Sequence, residues 1–225
     1  MTYTADPDEM FDPVIGIYPN FTEDIEINAN VELYETNGTQ AFNQVFESEI
    51  QGTGSATLDQ KSLAIRAKSS LGSDVIPYKV FPDLPFDELR SLTFRNSGQD
   101  WNITMFRDAF ASSLVADISD VGSIIDEPNL DTQGFRPSVL YINGAYWGIH
   151  NIRERVDKRY IKTHFDLDDD EVDFLENQRE VKEGSIDEWA ALTQYLENNS
   201  LSSTSNFNQV ADCLLYTSPS PRDRG

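Results

Sequence analysis

Apolar and polar positions alternate over much of the first half of the chain, the period expected of short strands joined by tight turns. Residues 14–18 form a brief apolar run closed by Pro19-Asn20. Residues 31–35 lead into Thr36-Asn37-Gly38-Thr39, and Asn-Gly between strand-like runs predicts a hairpin that returns over 41–50. Beyond the Gly-bearing stretch 51–55, Leu63, Ile65 and Ala67 alternate with polar neighbours, as on a half-buried strand over 61–68. Pro77, Pro82 and Pro85 mark a loop before another strand at 89–95. A second Asn-Gly hairpin joins 137–142 to 145–149 through Asn143-Gly144.

Helical spacing enters later. Asn102 or Thr104 is placed to cap a helix running to about Asp117, with Phe106, Ala109, Phe110 and Leu114 on one face. Residues 120–134 are polar and read as a loop, and a short helix is predicted over 157–165. Ser185-x-x-Glu188 has the form of a capping box ahead of Trp189, Leu192 and Leu196. Strands followed by helices, without regular βαβ alternation, predict the α+β class.

Charge narrows the partners. The 225 residues carry 17 Lys and Arg against 39 Asp and Glu, a formal net charge of -22. Such a field repels nucleic acid and anionic lipid, but a local basic cluster still admits a small anion such as a nucleotide. No apolar run approaches the roughly 18 residues of a membrane span, so no transmembrane segment is expected. Residues 1–10 lack the basic and apolar regions of a signal peptide. Residues 213–225 turn basic and Ser/Pro-rich and resemble the translation of sequencing-adapter sequence, so they are expected to be non-native. A flexible Ser/Pro tail is the alternative. Cys213, the only cysteine, falls within them.

Several chemistries fit poorly. Asp166-Leu-Asp-Asp-Asp170 places acids at the first, third and fifth positions of a calcium loop. Glu171 and Asn177, however, stand where Gly and a bidentate Glu are required, which favours a solvated acidic turn. His150 and His164 have no Cys or second His at zinc-ligand spacing, and His150 reads as an ordinary hydrogen-bonded strand histidine. No Gly-x-Ser-x-Gly elbow occurs.

Three constellations remain, each with a structural reading beside the chemical one. Gly52-x-Gly54-Ser55 followed by Lys61 is able to bring backbone amides and an amine to a phosphate, or is a loop with a surface lysine. Residues 94–101, Phe-Arg-Asn-Ser-Gly-Gln-Asp-Trp, form a strand-to-helix junction where Arg95 and Arg107 are phosphate candidates. Its structural reading is a capping network anchored by Trp101. Residues 146–157 place Glu154 between Arg153 and Arg155, as an internal ion pair or a solvated charge run.

In order, these segments resemble the CotH-type kinase family, named for a spore-coat protein. The resemblance is carried by residues 52–55 with 60–62, the Arg-Asn-x-Gly-x-Asp-Trp string at 95–101, and Thr104-Met-Phe-Arg-Asp108. It continues through the Tyr-x-Asn-Gly-x-Tyr-Trp-Gly string at 141–148, then 151–157, 174–177 and 181–184. The resemblance implies an atypical protein-kinase-like fold, ATP and magnesium as cofactors, and phosphoryl transfer to Ser or Thr of a protein substrate. It implies that Gly52 and Gly54 cover the phosphates, that Lys61 contacts them, and that Glu154 holds Lys61, with Arg95 and Arg107 as further phosphate contacts. Neither His-Arg-Asp nor Asp-Phe-Gly occurs, and the family's catalytic and metal-binding acids are expected beyond residue 212. The expected organisation is an N-terminal segment at 1–29, an incomplete kinase domain at 30–212 and the tail at 213–225. The resemblance also implies an extracellular or cell-surface location. A non-catalytic surface or adhesion module of the same fold is the alternative function.

Overall fold

A computed structural model of the chain describes residues 1–120, 132–176 and 180–216. The chain enters through β1 (Thr2–Ala5) and α1 (Pro7–Phe11). Asp6 starts α1 by accepting the Asp8 N–H at 2.8 Å, and Pro7 supplies a pre-set φ at the first helical position. Both predicted hairpins form. β2 (Ile27–Tyr34) and β3 (Gln40–Gln51) turn at Gly38, and β6 (Phe135–Ile142) and β7 (Ala145–Glu154) turn at Asn143-Gly144. Asn143 and Gly144 have φ of 49° and 81°, the left-handed pair that a two-residue hairpin turn requires.

With β4 (Ser62–Arg66) and β5 (Ser91–Arg95), these strands close into a seven-stranded barrel in the order β1-β2-β3-β4-β5-β7-β6. The α+β class holds, while closure into a barrel was not foreseen. Closure depends on β1, which pairs antiparallel with β2 and parallel with β6, through Thr2↔Tyr141 and Tyr3↔Ile142. Tyr3, Met10, Ile17 and Tyr18 are buried in the core. The first 29 residues are therefore structural parts of the barrel, and the compact unit extends from Met1 to Thr163 with no boundary at residue 30.

The register fixes which residues fill the barrel. Leu63 and Phe94 pair, as do Phe94 and Ile152, and Ile65 and Leu92 form the next layer with Ser48 and Glu154. The predicted half-buried alternation of β4 fails because its other face is covered too: Ser62 and Ala64 are as buried as Leu63 and Ile65. Lys61 lies just before β4 rather than within it.

Helix α2 (Arg107–Asp120) starts later than Asn102 or Thr104. Its predicted apolar face is turned outward: Phe106, Phe110 and Leu114 are exposed, and Ala109 is buried. The barrel wall here offers Arg153, so the helix brings Asp108 and Ser112 to it, at 3.1 and 3.4 Å. The unit ends in α3 (Lys158–Phe165), which crosses its limit at Thr163.

The second unit begins at His164. It holds the hairpin of β8 (Phe174–Glu176) and β9 (Glu180–Glu183), then α4 (Asp187–Asn198) and α5 (Thr204–Tyr216). The capping box expected at Ser185 and Glu188 does not form: the N-cap position of α4 falls on Ile186, and Ser185 Oγ accepts instead from the Asp187 N–H at 3.2 Å. Asp168 and Glu171 do form a capping box, in the acidic turn before β8. Asn177 lies outside the described residues, as does most of the segment 120–134. Of the tail at 213–225, residues 213–216 continue α5 and the rest lies outside the described residues. Among the described residues, no helix is long and apolar enough to cross a membrane.

Candidate functional site

Lys61 is the best-enclosed amine of the barrel, with 6% of its surface exposed. Its Nζ donates to the carbonyl of Ala56 and, at 3.0 Å, to that of Leu58, so it is held by the loop that precedes it. The Phe21 ring lies 4.1 Å from Nζ and the Tyr18 ring 5.4 Å. Burial lowers the amine's pKa, and the charge of Asp59 acts against that shift. The backbone is fixed as well: Lys61 N–H donates to the Tyr18 hydroxyl at 3.0 Å, and its carbonyl accepts from His150 Nε2 at 3.0 Å.

The loop over 52–60 is clamped by Asn96, which is 1% exposed and stands at the end of β5. The Asn96 amide donates to the carbonyls of Gln60 at 2.6 Å and Ser55 at 3.2 Å, while its Oδ1 accepts from Ser62 Oγ at 2.9 Å. Gly52 turns the chain at φ 106°, a backbone state that side chains disfavour. Gly54 has φ -66° with open space around it, so the fold leaves it free to accept other residues. Gly98 is fixed by contact, since a Cβ there would lie 2.2 Å from that of Ser55. Gly148 does the same for Gln60, whose amide lies 2.4 Å from the position of a Gly148 Cβ. Gln60 uses that approach to donate to Ile149 O at 3.0 Å and to His150 Nδ1 at 3.1 Å.

The junction after β5 is a hydrogen-bonded cap centred on Asp100, with Trp101 half exposed at its edge instead of anchoring it. The Asp100 carboxylate accepts from the Thr104 hydroxyl and, at 3.1 Å, from Arg107 N–H at the start of α2. The Thr104 hydroxyl bond is the first cause holding its pKa below the usual carboxylate value. Ser97 and Met105 adopt left-handed φ of 57° and 61°, and Asn151 Nδ2 ties both down with 2.6 Å bonds to Ser97 Oγ and Met105 O. Holding two non-glycine residues in that region costs on the order of 1 kcal/mol each, so the loop is over-determined by its partners.

The two candidate arginines stand on the outer face of this end. Arg107 pairs with Asp100 at 3.2 Å, and Arg95 pairs with Asp108 at 3.3 Å. Asp108 also meets the buried Arg153 at 3.1 Å.

Glu154 lies elsewhere. It pairs across the sheet with Leu92, which pairs with Ile65, four residues along the chain from Lys61. At roughly 3.3 Å per residue the offset is about 13 Å. Its Oε2 accepts the Gly134 N–H at 2.8 Å. The expected Lys61–Glu154 pair is thus not formed. Nor is the run 153–155 a solvated stripe: Arg153 and Glu154 are buried and Arg155 pairs with Glu49 at 2.7 Å.

One end of the barrel therefore assembles the Gly52–Gly54 loop, Lys61, Asn96 and the Gln60–His150 pair. Asn96, Gln60 and His150 were not singled out as site residues from sequence, although all three fall in or beside the motif strings. Among the described residues no group of three or more His, Cys, Asp and Glu side chains is placed to hold a metal. Compared with known families, the chain matches the one described as CotH kinase protein over residues 49–213, which include this whole assembly except Tyr18 and Phe21. No curated protein matches it.

Proposed function

Because the chain belongs to the CotH kinase protein family, we propose that this barrel end is the phosphate-binding part of an ATP-dependent protein kinase with a kinase-like fold. The observation that supports this reading is the position of Lys61, a buried ammonium presented by a glycine-turned loop that Asn96 clamps from β5. A pre-positioned cation meets the chief demand of phosphoryl transfer, which is neutralising and orienting phosphate charge. Gly52 and Gly54 let the loop approach the phosphates and Lys61 pairs with them. Arg95 and Arg107, at the β5–α2 junction, are further phosphate contacts in this reading, each exchanging its present carboxylate partner, Asp108 or Asp100, for the phosphate. Glu154 supports Gly134 in this reading and leaves Lys61 to its loop.

The family implies ATP and magnesium in general. The lysine and the glycine turn suit a nucleotide phosphate, whereas among the described residues no group of three or more His, Cys, Asp and Glu side chains is placed to hold magnesium. The substrate is a protein Ser or Thr, and the location is extracellular or cell-surface. ATP at about one hundred times its Kd stabilises a binding-competent chain by about 2.7 kcal/mol. A thermal-unfolding series should show the midpoint rising with ATP and with tripolyphosphate but not with adenosine. A midpoint indifferent to all three rejects the reading.

A further inference from the structure

An ammonium has three N–H donors, and in Lys61 two of them are taken by the Ala56 and Leu58 carbonyls. The remaining side is covered by Phe21, whose ring centroid lies 4.1 Å from Nζ. The two carbonyls belong to the loop that carries the lysine. Phe21 comes from the connection between α1 and β2, before the residues matched by the family. It is only half-buried and lies outside any helix or strand, so its ring can move without unpacking the core. The neighbouring Tyr18 is not free in this way: its hydroxyl accepts from Lys61 N–H at 3.0 Å and from Trp147 Nε1 at 2.7 Å, and its ring is packed edge-on against Trp147. Tyr18 thus fixes the segment beside the lysine, and Phe21, three residues on, is the part able to open.

We propose that Phe21 is a cap on Lys61, its ring occupying the side of the ammonium that a phosphate oxygen takes on binding. This rests on the reading of Lys61 as a phosphate contact. A ring face attracts a cation more weakly than a charged oxygen does, so a polyphosphate displaces the ring, while water and weak anions do not. The cap makes the residues before the matched span a working part of the site.

The test compares Phe21→Ala and Phe21→Tyr with the unaltered chain, after their unfolding midpoints have established that both are folded. One readout is the rate at which an N-hydroxysuccinimide ester acylates Lys61, followed at that residue by mass spectrometry. The other is the Kd for ATP. If the ring is closed nine-tenths of the time, its removal tightens binding about tenfold. Phe21→Ala should then speed acylation of Lys61 and lower the Kd, with Phe21→Tyr close to the unaltered chain. Unchanged acylation in Phe21→Ala overturns the cap, as does weaker ATP binding by the folded variant. A Lys61→Ala chain that binds ATP as before removes the nucleotide reading instead, and the acylation rates still decide whether Phe21 covers the amine.

Discussion

His150 Nε2 donates to the main-chain carbonyl of Lys61 at 3.0 Å, so the lysine is held from β7 by a fully buried imidazole. Gln60 donates to the other ring nitrogen at 3.1 Å, which fixes the neutral tautomer with its proton on Nε2. A second proton on Nδ1 would face the Gln60 amide hydrogens.

Burial accordingly lowers the His150 pKa to about 4 from its ordinary 6.5. The unfolded chain takes up a proton that the folded chain refuses, so stability falls as pH drops from about 6.5 toward 4 and is level above that window. The expected slope approaches 1.4 kcal/mol per pH unit, before the carboxylates with lowered pKa add their own loss at more acid pH. Denaturant unfolding at half-unit steps from pH 7.5 to 4.5 measures it. A His150→Gln chain should lose most of the slope, and an unchanged slope would place its origin elsewhere.

Gly98 against Ser55 gives a steric prediction. Gly98→Ala drives a Cβ to 2.2 Å from the Ser55 Cβ, and overpacking of this kind costs about 1–3 kcal/mol. Ser55→Gly removes the opposing atom, so the double variant should recover much of the loss in a double-mutant cycle. Additive losses would mean that the two loops do not meet as described.

Glu154 lies four residues along the strands from Lys61, at the last position of β7. Glu154→Ala leaves the buried Gly134 N–H without its carboxylate acceptor, an expected cost of about 1–3 kcal/mol. ATP affinity of the folded variant should be unchanged within twofold, because Glu154 does not touch Lys61. A tenfold loss of affinity would restore the lysine–glutamate pair to the account.

The same residues show what was legible in the sequence. Asn37-Gly38 and Asn143-Gly144 identified both hairpins because the left-handed φ of Gly38, and of both Asn143 and Gly144, is a local requirement of the turn. The motif strings come together at one end of the barrel because Gly98 meets Ser55 and Gly148 meets Gln60, contacts that join one string to another. The Lys61–Glu154 pair was misplaced because it depends on register across β4, β5 and β7, a non-local quantity that alternation does not encode. Thr2–Ala5 passed unnoticed as a strand because four residues carry too little pattern, although they close the barrel. The spacing of Phe106, Phe110 and Leu114 signalled a helix correctly but not which face meets the wall, since the wall presents Arg153.

The most direct test of the central claim is a calorimetric titration of ATP into the full chain and into its Lys61→Ala variant, both shown to be folded. Measurable binding by the unaltered chain and at least a tenfold loss in the variant are expected, the scale of removing one charge-assisted hydrogen bond. Equal affinity in the two chains would contradict the claim and take Lys61 out of the phosphate site.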